Sequence, residues 1–214
     1  GMVKAKSVVS MMMLSFGSLG LIAVLWVLYG YAISFSNAGT STFFGIDGWF
    51  GIDTSFLGLT AQVADAADPA GAFPSMAFVA FQATFAIITV ALISGAIADR
   101  AKFGAWMVFA GVWATVVYFP VANWVFNFTL EDGKVVDGGW IVYGLGVIDF
   151  AGGTAVHINA GAAGLALAIV LGKRFGFSKG ITQPHNVPLT LLGVALLWFG
   201  WFGFNAGSEL AADG

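Results

Sequence analysis

Phe150-Ala151-Gly152-Gly153-Thr154-Ala155-Val156-His157-Ile158-Asn159-Ala160-Gly161 runs on through Ala162-Ala163-Gly164-Leu165-Ala166-Leu167-Ala168-Ile169-Val170-Leu171-Gly172 without one Asp, Glu, Lys or Arg. A helix that crosses a bilayer needs about 20 predominantly apolar residues, and this stretch is long enough. Four others read the same way, so the sequence predicts spans over 7–35, 74–98, 103–126, 150–172 and 187–207. The last carries several glycines and is a candidate for a kink. The predicted fold class is all-α, a polytopic membrane helix bundle of five spans occupying the whole of 1–214, with long connections at 36–73 and 127–149.

Composition agrees. Of 214 residues, 59% are hydrophobic and 9% charged, and the mean hydropathy is +0.91. A soluble domain carries about a quarter charged residues, so most of this surface faces something other than water. A net charge of -3 with no basic stripe argues against a nucleic-acid partner. There is no cysteine, hence no disulfide and no thiolate metal site. The first apolar run is too long for a signal-peptide core. Gly1-Met2-Val3-Lys4 at one end, and Gly207-Ser208-Glu209 directly after an apolar run at the other, predict a segment of a larger protein.

Charge placement tests the span count. If five spans alternate, Lys4, Lys6, Arg100, Lys102, Lys173, Arg174 and Lys179 share one side, and only Lys134 lies opposite. Asp47, Asp53, Asp65, Asp68, Glu131, Asp132, Asp137, Asp149, Glu209 and Asp213 share the other side, leaving Asp99 among the cations. A wrong count would scramble this sorting. The positive-inside rule makes the basic side, with the N-terminus, cytoplasmic. The acidic side is either plain solvation or a means of raising cation concentration at a pore mouth. In the connection 36–73, Phe44-Gly45-Ile46-Asp47 is echoed by Phe50-Gly51-Ile52-Asp53, which reads as surface loop with turns.

Ionisable groups inside a membrane are rare and face a bundle interior or a cavity. His157 is the one predicted well inside a span, with Asn159 beside it and Gln82 in the second span. It either fixes packing through a hydrogen bond or lines a pathway where its ring nitrogens meet a small polar solute or a proton. Asp149 precedes the fourth span, where it can cap free helix amides. Eight residues separate it from His157, which would put the two on similar faces about two turns apart. Phe81 and Phe85, and Trp201 and Ser208, are spaced to share helix faces, as packing aromatics or as a cage for a cation. Ala160-x-x-x-Gly164 and Gly203-x-x-x-Gly207 permit close helix contact. His185, in Gln183-Pro184-His185-Asn186-Val187-Pro188, reads as part of a structural turn. The two histidines lie apart and form no metal site. No Walker, HExxH or GxSxG motif is present, and no nucleophile, base and orienting group converge, so the chain does not read as an enzyme.

The run Asp149 to Gly161 resembles the signature of the ammonium transporter family (Amt/Mep/Rh), bacterial Amt branch. Phe81-Gln82-Ala83-Thr84-Phe85-Ala86 is similar to its third helix. Gly172-Lys173-Arg174 with Pro184-His185-Asn186 is similar to its fifth-to-sixth loop. Trp198-Phe199-Gly200-Trp201-Phe202-Gly203-Phe204-Asn205-Ala206-Gly207-Ser208 is similar to its sixth helix. The resemblance implies an eleven-helix fold of two inverted halves plus one, of which this chain is a partial copy covering helices two to six. It implies a plasma-membrane homotrimer with one pore per subunit, ammonium or ammonia as solute, a PII-type cytoplasmic regulator as a possible partner, and no cofactor. It implies that Phe81 and Phe85 are stacked gate phenylalanines, that Ser208 contacts ammonium at an outer recruitment site with Asp149 nearby, and that His157 and Trp201 line the pore. Where many members carry a recruitment-site tryptophan, this chain has Phe126, with Trp124 two residues earlier; a phenylalanine offers a weaker ring face. The partner of His157 in the family's histidine pair would come from a helix outside this chain, so the segment alone is not expected to form a complete pore. The alternatives are an ammonium sensor or transceptor, or a fragment inactive by itself.

Overall fold

Inside a bilayer the backbone has only itself to bond with, so an apolar run of spanning length becomes a helix. A computed structural model describes residues 1–36, 42–43, 46–47, 51–64, 73–131, 134–174, 176–179 and 183–210. Phe44, Gly45, Phe50, Asp65, Asp68, Asp132 and Asp213, and the side chain of Asp47, lie outside that description.

Five helices are long and apolar enough to cross a membrane: α1 (Ala5–Phe35), α2 (Ser75–Ile97), α3 (Phe103–Phe126), α4 (Gly153–Leu171) and α5 (Val187–Ala206). None is a regular α-helix throughout; α2 departs only in its last turn, Gly95–Ile97, which is 3-10. A widened, π-helical turn interrupts α1 at Trp26–Gly30 and α3 at Ala114–Tyr118, opens α4 at Gly153–Ile158 and closes α5 at Phe202–Ala206. The kink expected in α5 is thus a widened turn. Helix α4 starts at Gly153, so Phe150 to Gly152 belong to the approach.

The core lies among α1, α2 and α3, where Trp26, Phe85, Trp106, Tyr118 and Phe119 are fully buried. Small residues let the helices close in. A Cβ on Gly30 would sit 2.6 Å from the Phe119 ring, and one on Gly17 would meet Met107 and Phe103. Polar atoms are matched across helices. The Trp106 indole donates to the Leu14 carbonyl (3.0 Å) and Ser18 hydroxyl (3.1 Å), and the Trp26 indole to the Val79 carbonyl (3.1 Å). Asn123 donates to the carbonyls of Ser34 and Ser36, and Asn127 to that of Ser36. Hence the end of α1 meets the end of α3, and the start of α1 meets the start of α3, as alternation requires. Ala160 and Gly164 are buried, and a Cβ on Gly164 would stand 3.3 Å from the Ala96 methyl of α2; this is the close contact the small-residue pattern predicts.

The long connections carry more order than loops. In 36–73, β1 (Thr42–Phe43) pairs antiparallel with β2 (Ile46–Asp47), and short helical segments follow at Thr54–Leu59 and Thr60–Ala64. Asp53 accepts from the Ser55 hydroxyl (2.6 Å) and amide (2.8 Å), and these bonds hold its carboxyl below the usual range. In 127–149, β3 (Phe128–Glu131) pairs antiparallel with β4 (Lys134–Gly138), and a π-helical turn follows at Trp140–Gly144. At the other end, His185 bonds the chain's first turn: its amide donates to the Gly1 carbonyl (3.0 Å), and its Nδ1 meets the Val3 carbonyl at 2.7 Å.

Candidate conduction site

Asp149 organises the start of α4. Its Oδ1 accepts from the amides of Gly152 and Gly153 (2.7 Å each), and its Oδ2 from those of Thr154 (2.8 Å) and Ala155 (2.9 Å). These are amides that a helix start leaves without partners, at the positive end of the helix dipole. Four consecutive donors converge because Gly152 takes a left-handed φ of +85° and folds the chain back over the carboxylate. The capping reading of Asp149 holds, while the shared-face reading does not. Asp149 precedes the helix, so helical periodicity cannot relate it to His157.

What joins them is Gly152. Its carbonyl accepts from the amides of Val156 (3.0 Å) and His157 (3.1 Å), and it lies 3.1 Å from His157 Nδ1. A carbonyl can only accept, so in the neutral ring this contact assigns the proton to Nδ1 and leaves Nε2 with a free lone pair. Gly152 also leaves no room on its other side. A Cβ there would stand 2.8 Å from Val156 and 3.3 Å from the Phe85 ring.

Phe85 heads a line of rings. It stacks on Phe204 with centroids 4.4 Å apart and planes 16° apart. Phe81 meets Phe85 edge-on, at 4.9 Å and 66°, and Phe126 does so at 5.8 Å and 85°. The stacked pair is therefore Phe85 and Phe204 rather than Phe81 and Phe85. Below the stack, Phe204 packs on Trp201 (5.1 Å), and both lie against the His157 ring, at 6.2 Å and 5.8 Å. Sequence reasoning missed Phe204. It sits in a run with Trp198, Phe199, Trp201 and Phe202, and only the widened turn Phe202–Ala206 decides which ring turns inward. Phe199 and Phe202 are 81% and 67% exposed, whereas Phe204 is half-buried.

Ser208 closes the last turn of α5, donating its hydroxyl to the Phe204 carbonyl at 2.7 Å, so its oxygen keeps acceptor capacity. Phe81 presses on the neighbouring Gly207, where a Cβ would meet its ring at 2.9 Å. Ser208, Phe81, Phe126, Phe85, Trp201 and His157 thus gather around Phe204 and Gly207. Asp149 does not join them; both its oxygens are committed to main-chain amides. Gln82 is buried in α2, and the amide nitrogen of Asn159 is buried with no partner among the described residues. Among the described residues no three His, Asp or Glu side chains gather in a way that could hold a metal ion.

The sequence model of the Ammonium Transporter Family matches residues 1–214. An ammonium transporter of Mycobacterium tuberculosis is 56% identical over 222 residues, covering 100% of this chain and 46% of that protein. One from Bacillus subtilis is 46% identical over 214 residues, covering 100% of this chain and 48% of its own length. The chain therefore spans about half the length of the curated relatives it matches. Among solved structures, the crystal structure of Saccharomyces cerevisiae Mep2 superposes with a TM-score of 0.76 at 35% identity, covering 92% of this chain and 42% of that one. A Candida albicans Mep2 mutant, delta442, gives a TM-score of 0.62 at 37% identity, over 89% of this chain and 41% of that one.

Proposed function

The chain belongs to the ammonium transporter family, and from that premise we propose that its protein carries ammonium or ammonia across the membrane along the line of rings between α2, α4 and α5. The observation that supports this reading most is the continuous aromatic series from Phe126 and Phe81, through the Phe85–Phe204 stack, to Trp201 and His157.

Ammonium is drawn to ring faces by their quadrupole. Phe81 and Phe126 supply rings, and the Ser208 oxygen accepts a hydrogen bond from the cation. The Phe85–Phe204 stack must part for anything to pass. Beyond it the walls are apolar, and a bare ion in such surroundings costs tens of kcal/mol by simple solvation estimates, far more than a neutral polar molecule. The cation therefore gives its proton to water at the outer mouth, and neutral ammonia continues. It donates to the Nε2 lone pair of His157, whose Nδ1 proton is held by Gly152. Asp149 acts as a positioning residue, fixing Gly152 and through it both the imidazole and Phe85. The family resemblance extends the proposal to a homotrimer with its basic side cytoplasmic, open there to a PII-type regulator.

The test is uptake of labelled methylammonium by cells expressing the full-length protein. Saturable uptake competed by ammonium is expected, reduced at least tenfold in His157→Ala. Absence of ammonium-competed uptake overturns the proposal.

A further inference from the structure

Phe126 belongs to the last turn of α3, and nothing within that helix settles which way its ring points. The widened turn Ala114–Tyr118 lies between this stretch and the rest of α3, and a turn of that kind rotates every later side chain. The phase of 119–126 is therefore set from outside the helix.

The outer end of α1 supplies the fixing point. At Ser36 the chain leaves α1 in an extended conformation, with φ −69° and ψ 143°, and the residue is buried. Its carbonyl accepts from two side-chain amides of α3, those of Asn123 (3.0 Å) and Asn127 (2.6 Å). Its hydroxyl donates to the Gly51 carbonyl at 2.8 Å, in the connection 36–73. Asn123 donates also to the Ser34 carbonyl (3.2 Å), and the Ser34 hydroxyl donates to the Phe119 carbonyl (3.3 Å). The connection 127–149 closes in as well. The Gly139 amide donates to the Asn127 carbonyl at 2.9 Å, and a Cβ on Gly139 would stand 2.4 Å from the Asn123 carbonyl oxygen.

Residues four apart on a helix share a face, so Asn123 and Asn127 turn one face of this last turn to α1. Phe126 comes one residue before Asn127, about 100° around the axis. With the first face held on Ser36, the Phe126 ring is directed at α2, where it meets Phe85 edge-on at 5.8 Å.

We propose that Asn123 and Asn127 are positioning residues: by anchoring the last turn of α3 on the Ser36 carbonyl they hold Phe126 against Phe85, and so set the affinity of the outer aromatic site for its cation. This rests on the proposed transport function, and in it the two asparagines act through the ring and not on the solute.

The experiment has two readouts on the full-length protein. One is the concentration dependence of labelled methylammonium uptake in cells. The other is the fluorine NMR resonance of the purified protein with Phe126 replaced by para-fluorophenylalanine. Asn127→Ala removes one bond at a half-buried position and leaves both Asn123 bonds in place. It is expected to raise KM roughly tenfold, the order of a desolvated cation–ring contact, with the maximal rate kept, and to displace the fluorine resonance. Phe126→Ala should raise KM as much, and adding Asn127→Ala to it should change KM no further, because residues that act as one unit are not additive. Thr115→Val breaks another bond between α1 and α3, to the Tyr29 hydroxyl, about three turns before Phe126; it should keep the parental KM and resonance. A parental KM in Asn127→Ala, an additive double variant, an unmoved resonance, or an equal rise in KM in Thr115→Val would each overturn the proposal. If the parent takes up no methylammonium, the proposed function falls, while the fluorine resonance still decides whether Asn127 holds the ring.

Discussion

Asp149 gives both carboxylate oxygens to main-chain amides, and that separates two roles for it. As a positioning residue it should not tolerate Asn. The new amide group would turn donors toward two amides that are themselves donors, and each buried group left unsatisfied costs about 1–3 kcal/mol. Asp149→Asn is therefore expected to lower the unfolding free energy by about 3 kcal/mol, seen as a fall in Tm of the full-length protein in detergent, along with lost uptake. An unchanged Tm with weakened methylammonium affinity would instead mean that the carboxylate meets the cation. Phe204→Ala removes the ring that separates Phe85 from Trp201 and His157. It is expected to wet the path, so that proteoliposomes carrying the full-length variant leak monovalent cations while the parent does not. Much at this scale was legible. His157 stood out because an ionisable group in an apolar run is expensive, and Asp149 because it precedes a run of free amides. Phe204 was not, since five aromatic residues crowd into Trp198 to Phe204 and an ideal helical wheel does not say which faces inward.

The five helices were legible for a simple reason: hydropathy over a span length is insensitive to local geometry. The same insensitivity hid the widened turns, which leave composition unchanged while rotating every later side chain. They matter most in α4 and α5, where they place His157 and Phe204. The approach to α4 allows a sharp prediction. Gly152 has φ +85°, and a Cβ would stand 2.8 Å from Val156 and 3.3 Å from Phe85. The left-handed conformation costs about 1–2 kcal/mol for a residue with a Cβ, and overpacking adds roughly 1–3 kcal/mol. Gly152→Ala in the full-length protein is expected to be destabilised by the sum, measured by thermal unfolding, and to lose uptake even where it folds. By contrast, the two small hairpins in the connections were not foreseen. Their strands are too short to show a clear alternation.

On the scale of the molecule, charge sorting and hydrogen bonding agree. Arg100 reaches Gly172, and His185 reaches Val3, so the ends that carry the cations meet in space. The segment holds no cysteine, which suits single-cysteine labelling in a cysteine-free full-length background. A cysteine at Lys134 or Asp137 is expected to react with a membrane-impermeant reagent added outside intact cells. One at Lys173 or Lys179 should react only after permeabilisation; the reverse pattern would invert the proposed orientation. Within this segment, which spans about half the length of its curated relatives, the residues of α1 to α3 bury one another, whereas α5 keeps an exposed apolar surface, with Leu191, Leu196 and Trp198 all above 60%.

Trp201 lies 5.8 Å from the His157 imidazole, within the range at which a protonated imidazole drains the excited state of an indole. The proposed pathway therefore contains its own optical probe. The emission lost on changing Trp201 to Phe isolates one indole among the eight of this segment. Its brightness would follow the charge on the neighbouring ring: passage of neutral ammonia past a neutral His157 leaves the emission steady, whereas a protonated ring would dim it, with no added dye.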